Sequence, residues 1–203
     1  MMGIPPRKQA SVTPSLHFGV DIDGVLAAHL LPMLEVIRDL LGIHLTPDDV
    51  KDYYFDGQVP REELERIFDR CMDEAFQLQP TPGYELVNAL PGKVSIVTHR
   101  PAEKAEAVTR AWLAHHGIRF DDLLFTKGRK SQMGTFDFFV DDHPRNVEEL
   151  ASEGITTFMM LHPYNRDCHF GEHDHRVIRV ANWHEISTWL TANLEVQGLA
   201  RGA

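Results

Sequence analysis

Two carboxylates stand directly after a short apolar run near the beginning of the chain. Asp21 and Asp23 follow the run at residues 16–20, and Gly24 comes next. The run predicts a buried strand, which would deliver both carboxylates to one end of a sheet, where they repel each other unless a cation lies beside them. Magnesium suits such hard oxygen ligands and often bridges to a phosphate, and a glycine lets the backbone approach a ligand closely. An acidic turn at the surface is the simpler alternative.

Other predicted strands also have polar residues at their ends. Thr98 ends a second apolar run, Asp141 and Asp142 end a third, and Lys130 lies in the segment that enters the third. In open α/β sheets, ligands bind outside the carboxyl ends of the strands. A hydroxyl, an ammonium and two pairs of carboxylates would make a phosphate and magnesium site there. Each residue also has a simpler reading, because Thr98 and the aspartate pair could cap helices and Lys130 could be a surface lysine.

The elements that must position these residues alternate along the chain. Buried strands are predicted at residues 16–20, 94–98, 123–126, 136–140 and 155–161, with a sixth candidate at 176–180. Helices are expected to begin at Pro101, at Pro144 and after Asn182, and the first two would end at Gly117 and Gly154. This alternation predicts an α/β fold with a mostly parallel sheet that is covered on both faces.

Residues 28–79 interrupt this alternation. They contain no convincing strand, and helical pieces are predicted at 30–41, from Thr46 and from Arg61. The last piece carries an apolar stripe, interpreted as a packing face, made of Leu64, Ile67, Phe68, Cys71, Met72, Ala75 and Phe76. We therefore expect a helical cap inserted over the strand ends. The expected organisation is a flexible segment at 1–15, a core at 16–27 and 80–195, a cap at 28–79 and a flexible tail at 196–203.

Composition narrows the function classes. The 203 residues fit one domain with an insertion, and the net charge of −10 argues against binding of a nucleic-acid polymer. A small phosphorylated substrate is still compatible, because a metal and a few cations can invert the field inside one pocket. Cys71 and Cys168 are too few for a disulfide framework. Because the sequence also has neither a membrane-spanning run nor a secretory signal, we expect a cytoplasmic protein.

The order Asp21-x-Asp23, Thr98, Lys130, Asp141-Asp142 resembles the four-motif signature of the haloacid dehalogenase (HAD) superfamily. The resemblance covers residues 16 to about 194. It implies a Rossmann-like, three-layer core with a small helical cap between the first two motifs. Finer features are similar to the type C 5′(3′)-deoxyribonucleotidases; they are Asp21-Ile-Asp-Gly-Val-Leu26, Pro80-Thr-Pro-Gly83, Leu90-Pro-Gly92, Asp141-Asp-His-Pro144 and Pro163-Tyr-Asn165.

The resemblance gives four side chains a chemical role. It implies that Asp21 attacks phosphorus to form an aspartyl phosphate, and that Asp23 protonates the leaving alkoxide and later deprotonates a water molecule. Thr98 would hydrogen-bond a phosphoryl oxygen, and Lys130 would neutralise charge on the phosphate and on Asp21. Lys127 is the rival to Lys130.

The implied cofactor is Mg²⁺, and the implied substrate is a small phosphate ester. The metal would be held by the Asp21 carboxylate, the Asp23 main-chain carbonyl and Asp141, with Asp142 as a close second candidate. Residues expected to contact the substrate are Gly24, Thr98, His99, Arg100, Lys130, Tyr53, Tyr54 and Phe55. The three aromatic residues could stack on a nucleobase or simply pack the cap, and Arg100 could clamp an anion or point to solvent.

The favoured function is a magnesium-dependent 5′-nucleotidase acting on (deoxy)ribonucleoside monophosphates. The alternatives are a phosphatase for sugar phosphates or similar metabolites and a catalytically silent binding module of the same fold. No partner that is a nucleic-acid polymer or a membrane is expected, and whether the chain forms a homodimer stays open. The histidine-rich segment 162–175 could bind zinc, but its spacing fits no metal pattern and favours a solvated loop.

Overall fold

A computed structural model describes residues 15–196. The expectations for residues 1–14 and 197–203 lie outside this range. The described chain forms six strands, β1 His17–Val20, β2 Lys93–Thr98, β3 Asp122–Phe125, β4 Phe138–Asp141, β5 Thr156–Met160 and β6 Val177–Val180. It forms five α-helices, α1 Leu30–Leu41, α2 Leu64–Asp73, α3 Ala102–His115, α4 Pro144–Ser152 and α5 Trp183–Val196. No helix between residues 15 and 196 has the length and apolar character needed to cross a membrane.

The six strands form one parallel sheet in the order β3-β2-β1-β4-β5-β6, which confirms the α/β fold. The strand order reverses at β1, so the crevice for a ligand lies at the carboxyl ends of β1 and β4. Val20 pairs with Val140, and the backbone N–H of Asp21 donates to Val140 O at 3.0 Å. The register therefore brings the acidic ends of these two strands to the same level.

Alternating side chains of the central strands pack against helices on both faces of the sheet. Phe18 and Val20 are buried in a cluster with Trp112 of α3 and Trp183 of α5. Between them, Gly19 leaves room for the ring of Phe139 on β4, where a Cβ atom would overlap that ring. The close fit of β1 and β4 thus depends on a missing side chain beside the acidic motif.

The outer strand β3 is less buried than its apolar sequence predicts. All four of its residues are partly exposed, whereas β4 is buried throughout. The reason is its position, because β3 is an edge strand and pairs only with β2. The predicted sixth strand is confirmed as β6, on the opposite edge.

The segment 28–79, which we call the cap, contains α1 and α2 and builds a hydrophobic cluster of its own. Its two connections to the sheet run side by side. The N–H of Ala28 donates to Gln79 O, and the N–H of Thr81 donates to Leu26 O, both at 2.8 Å. The cap segment therefore leaves and re-enters the core at one place.

Two details of the cap differ from the sequence prediction. The helix expected from Thr46 is a single 3-10 turn, Pro47–Asp49, although its capping box is present. It stops because the Asp52 carboxylate accepts N–H groups of Tyr54 and Asp56 and turns the chain. Phe76 does not belong to the packing stripe: α2 ends at Asp73, and the ring of Phe76 is 48% exposed.

Candidate active site

The acidic residues predicted at separate strand ends meet in space. Asp21 follows β1, Asp141 is the last residue of β4, and Asp142 comes next. One carboxylate oxygen from each of the three lies within 4.8 Å of the other two, and all three residues are buried. The parallel register of β1 and β4 is the reason, since it places both carboxyl ends at the same edge.

Lys130 lies between two of these carboxylates. Its Nζ atom is 2.7 Å from Asp21 Oδ2 and 2.7 Å from Asp141 Oδ2, and the side chain is fully buried. Burial opposes the charge, but the two carboxylates outweigh it and raise the pKa of Lys130 above its ordinary value. Lys127, the rival, is 81% exposed and pairs with Glu103 at 3.0 Å. The structure thus brings Lys130, and not Lys127, into the acidic cluster.

Asp141 and Asp142 have different surroundings. The oxygens of Asp141 accept hydrogen bonds from Lys130, from the His143 N–H at 2.9 Å and from the Asn146 side chain at 3.1 Å. The carboxylate of Asp142 accepts a hydrogen bond from the hydroxyl of Tyr164. The two aspartates do not cap α4, because the N-cap residue is His143, whose Nδ1 accepts the Arg145 N–H.

The acidic cluster carries more negative charge than its protein cations offset. Burial raises the pKa of Asp21 to about 7, and burial and the charge of Asp141 raise that of Asp142 well above its usual range. A divalent cation between the carboxylates would remove this penalty, so the donor set fits Mg²⁺.

Gly24 leaves room for the carboxylate of Asp142. It has a φ of 81°, and a Cβ atom at this position would overlap the carboxylate of Asp142. The close approach predicted for Gly24 is therefore to a side chain of the protein. Its role as a substrate contact stays a prediction.

Asp23 points away from the cluster and towards Arg100. The guanidinium Nε lies 2.8 Å from Asp23 Oδ2, and Nη2 lies 2.6 Å from Oδ1. Burial disfavours the ionised carboxylate, but Arg100 outweighs burial and lowers the pKa of Asp23. Arg100 itself is 4% exposed, and its Nη1 also donates to Thr109 at 3.1 Å. The predicted anion clamp is thus a clamp on a protein carboxylate, and the solvent-facing alternative is wrong.

Thr98 and His99 complete the edge of the site. Thr98 is buried at the end of β2, and its hydroxyl oxygen accepts the N–H of Arg100 at 3.1 Å. It is not the cap of α3, because the N-cap residue there is Pro101. The ring of His99 is exposed, and its Nε2 donates to Gly128 O at 3.0 Å, which joins the loops after β2 and β3.

A cavity of about 470 Å³ opens above these residues. Its floor includes Asp21, Asp23 and Thr98, and its walls carry rings and cations from the cap and the sheet edge. The lining residues are Asp21, Asp23, Tyr53, Tyr54, Phe68, Met72, Thr98, His99, Arg100, Pro101, Thr126, Lys127, His143, Arg145 and Asn146.

The cavity separates the cap aromatics that sequence reasoning grouped together. Tyr53 and Tyr54 line it, whereas Phe55 is 2% exposed and packs inside the cap cluster. Phe55 is therefore corrected from a substrate contact to a packing residue. Met72, which was expected to pack in the cap, instead lines the cavity. Cys71 is partly buried and packs against the cap cluster, as expected.

Several residues of the site carry no role in the sequence prediction. Asn146 binds Asp141, and Arg145 lies over the ring of Tyr54 at 5.2 Å. His143 accepts the Arg145 N–H through Nδ1, so its Nε2 carries the proton that is donated to the Tyr54 hydroxyl at 3.2 Å. Burial lowers the pKa of His143 to about 4, which agrees with a neutral ring. The sequence signal that could have identified His143, Arg145 and Asn146 is their position within five residues of the aspartate pair.

The histidine-rich segment 162–175 divides into two parts. His162 is half-buried, and its Nε2 donates to Gly24 O at 2.7 Å, so it belongs to the support of the site. His169 and His175 are exposed. Within residues 15–196, the group of side chains spaced for metal binding is the aspartate cluster, and this segment contributes none of its members.

Most of the chain is similar in sequence to known proteins. The sequence model of a family described as "5′ nucleotidase, deoxy (Pyrimidine), cytosolic type C protein" matches residues 15–194. A protein of Chlorobaculum tepidum named "Putative 5′(3′)-deoxyribonucleotidase" is 33% identical over 193 residues. The match covers 88% of this chain and 91% of that protein.

Solved structures share the fold at lower identity. A haloacid dehalogenase-like family hydrolase from Streptococcus pneumoniae has a TM-score of 0.58 and 12% identity, over 86% of this chain and 98% of its own. YfnB from Bacillus subtilis, bound to magnesium, has a TM-score of 0.56 and 12% identity, over 87% of this chain and 99% of its own. At these identities the likeness concerns the fold alone.

Proposed function

Because the chain belongs to the type C 5′-nucleotidase family of the HAD superfamily of hydrolases, we propose that it is a magnesium-dependent phosphomonoester hydrolase whose substrates are (deoxy)ribonucleoside monophosphates. The observation that carries the proposal is the contact of Lys130 with both Asp21 and Asp141, beside Asp142 and beneath an aromatic-walled cavity. This arrangement joins a nucleophile, a fixed cation and a metal-ligand set at one point.

The residues that would hold Mg²⁺ are Asp21, Asp142 and the main-chain carbonyl of Asp23. Asp142 is the better carboxylate donor of the aspartate pair, because Asp141 is engaged by Lys130, His143 and Asn146. Asp141 would then hold Lys130 in place. When bound, the metal ion would neutralise charge on the phosphate and so lower the barrier to attack by an anionic carboxylate.

In the first step, an Asp21 carboxylate oxygen attacks phosphorus and the ester P–O bond breaks. The leaving alkoxide takes a proton from Asp23, and Asp21 carries the phosphoryl group as an aspartyl phosphate. The ion pair with Arg100 fixes the position of Asp23 two residues beyond the nucleophile. This geometry suits a proton donor that acts on the far side of phosphorus from Asp21.

In the second step, Asp23 removes a proton from a water molecule, whose oxygen attacks phosphorus. The Asp21–phosphorus bond breaks, which releases inorganic phosphate and restores the Asp21 carboxylate. Lys130 stabilises the negative charge of the phosphoryl group in both steps, and the Thr98 hydroxyl donates a hydrogen bond to one of its oxygens. Both residues are buried and held by neighbours, so little reorganisation is needed during reaction.

The cavity walls support a nucleotide in preference to a sugar phosphate. Tyr53 and Tyr54 present rings above the catalytic floor, and the guanidinium of Arg145 lies over the Tyr54 ring. An aromatic wall can stack on the flat face of any base, which contributes about 1–3 kcal/mol per base. A sugar phosphate has no such face to offer.

A panel of phosphate esters, assayed with Mg²⁺ and with EDTA, tests the proposal. We expect release of phosphate from nucleoside monophosphates with Mg²⁺, little release from sugar phosphates, and none with EDTA. Equal rates of hydrolysis for both ester classes would indicate that the protein is a general metabolite phosphatase and not a nucleotidase. If no ester were hydrolysed although Mg²⁺ binds, the chain would be a binding module that has kept the fold.

A further inference from the structure

Tyr164 touches the acidic cluster from outside the four motifs. It lies in the turn after β5, is 4% exposed, and its hydroxyl donates a hydrogen bond to Asp142 Oδ2. A carboxylate that must bind a metal ion through one oxygen is commonly oriented by a hydrogen bond to the other. The hydroxyl of Tyr164 is placed to do this for Asp142.

The ring of Tyr164 belongs to the other part of the molecule. It is buried in the hydrophobic cluster of the cap, and the remaining members of that cluster among the described residues lie between positions 30 and 71. The ring meets Tyr53 edge-on, with centroids 5.5 Å apart and planes at 90°, and it lies near His29 at 6.3 Å. One side chain therefore contacts the metal-ligand set with its hydroxyl and the cap with its ring.

The turn that carries Tyr164 is fixed to the core on both sides. Asn165 is fully buried, and its Nδ2 donates to Asp142 O at 2.7 Å and to Met160 O at 2.8 Å. Its Oδ1 accepts the N–H of His162, whose own ring donates to Gly24 O. The hydroxyl of Tyr164 consequently has little freedom to leave Asp142 unless the ring moves with the cap.

We propose that Tyr164 is a positioning residue that orients Asp142 for the divalent cation and couples the affinity for that cation to the placement of the cap. The inference rests on the proposed magnesium site. Binding of Mg²⁺ selects one orientation of Asp142, this orientation favours one position of the Tyr164 ring, and the ring stabilises the cap around it. By reciprocity, a well-seated cap tightens the binding of Mg²⁺.

Tyr164→Phe tests the positioning role, because it removes the hydroxyl and keeps the ring that packs in the cap. Calorimetric titration of the metal-free protein with Mg²⁺ is expected to give a Kd about 10- to 100-fold higher in the variant than in the wild type. The matched control is Tyr84→Phe, which removes a hydroxyl from a half-buried ring on the core cluster and should leave Kd unchanged. Thermal unfolding without metal checks that both variants are folded.

Hydrogen exchange tests the coupling without any assay of turnover. In the wild type, saturating Mg²⁺ should slow amide exchange in the cap helices α1 and α2 as well as in the site segments at residues 21–24 and 141–146. In Tyr164→Phe, at its own saturating concentration, these site segments should still be protected while protection of α1 and α2 is reduced.

Each result has a defined consequence. A Kd in Tyr164→Phe equal to that of the wild type overturns the positioning role and leaves the magnesium site intact. Equal protection of α1 and α2 in both proteins overturns the coupling. Failure of the wild type to bind Mg²⁺ overturns the proposed function together with this inference. A raised Kd with loss of cap protection supports both parts.

Discussion

Arg100 holds both carboxylate oxygens of Asp23, with nitrogen–oxygen distances of 2.8 and 2.6 Å, and its guanidinium is almost excluded from solvent. The residue proposed to exchange protons with the leaving group and with water is thus kept ionised and oriented by a fixed cation. A carboxylate in this state is ready to act as a base. To act as an acid it must first take up a proton against the charge of Arg100.

Replacement of Arg100 by Gln is expected to move the alkaline limb of kcat/KM to higher pH. That limb reports the group which must be protonated in the free enzyme, here Asp23, and loss of the guanidinium raises its pKa. Arg145→Gln is the matched control, because Arg145 lines the same cavity and lies over Tyr54. A pH–rate profile of Arg100→Gln identical to the wild type would remove Arg100 from the control of Asp23.

Asp21→Asn should abolish turnover, because an amide oxygen is a poor nucleophile and cannot form the aspartyl phosphate. The fold and the binding of a phosphate ester should survive, since Asn fills the same space. Phosphate release and calorimetric titration with a nucleoside monophosphate measure the two properties. Asp39→Asn, at an exposed position of the cap, is the control. Turnover of Asp21→Asn at the wild-type rate would exclude Asp21 as the nucleophile.

Lys130→Met and Lys127→Met should differ sharply. Lys130 neutralises two buried carboxylates, so its loss is expected to reduce kcat by roughly 10²–10³-fold and to destabilise the fold by about 3–5 kcal/mol. Lys127 forms a surface pair with Glu103, and its loss should change the free energy of unfolding by less than about 1 kcal/mol. Steady-state kinetics and urea unfolding distinguish the two. A larger loss of kcat from Lys127→Met would reverse the assignment.

The metal-free protein should lose stability as pH rises from about 4 to about 7. In this range the folded state binds more protons than the unfolded state, because the folded pKa of Asp21 is about 7 and its ordinary value is 3.8. Asp142 acts in the same direction. In EDTA, the unfolding midpoint of Asp21→Asn should therefore exceed that of the wild type by a margin that grows as pH rises through this window. Addition of Mg²⁺ should make the unfolding midpoint of the wild type less dependent on pH. A difference in midpoint between the two proteins that is the same at all pH values would contradict the prediction.

Tyr54→Ala should weaken nucleotide binding selectively. Loss of one stacking partner is expected to raise KM for a nucleoside monophosphate by roughly 5- to 150-fold, the equivalent of about 1–3 kcal/mol. KM for a sugar phosphate should change little, because its recognition would depend on the phosphate alone. Tyr54→Phe, which keeps the ring and loses only the contact with His143, is the control. Equal rises of KM for both esters would assign Tyr54 to packing of the cap.

The positions of the catalytic candidates could be predicted because each is tied to a strand end. An apolar run followed by a polar residue gives the strand, and the parallel sheet then gives the meeting point of Asp21, Thr98 and Asp141. Lys130 was harder to distinguish from Lys127, since both precede β4 in an irregular segment. Its burial between two carboxylates supports the choice of Lys130, and burial of a lysine is not visible in a sequence.

Tertiary contacts explain what the sequence does not predict. The Arg100 side chain could have turned to solvent or to a ligand, and its actual partner, Asp23, is 77 residues away in the chain. Tyr164 lies in the histidine-rich segment, for which the sequence suggested only a candidate zinc site. The contact of its hydroxyl with Asp142 depends on the fold and is not visible in the sequence. The turn at Thr46 has a capping box and a proline at the first helical position. The chain nevertheless turns away, because the Asp52 carboxylate accepts the N–H of Tyr54.

The indole N–H groups of the two fully buried tryptophans hold the backbone on either side of the cap. Trp183 donates to Val25 O at 3.0 Å, and Trp112 donates to Leu78 O at 2.7 Å. Hydrogen bonds from α3 and α5 thus hold the backbone near both ends of the inserted segment. A displacement of the cap that keeps these two hydrogen bonds would leave the backbone at Val25 and Leu78 in place, and with it Asp21, four residues before Val25.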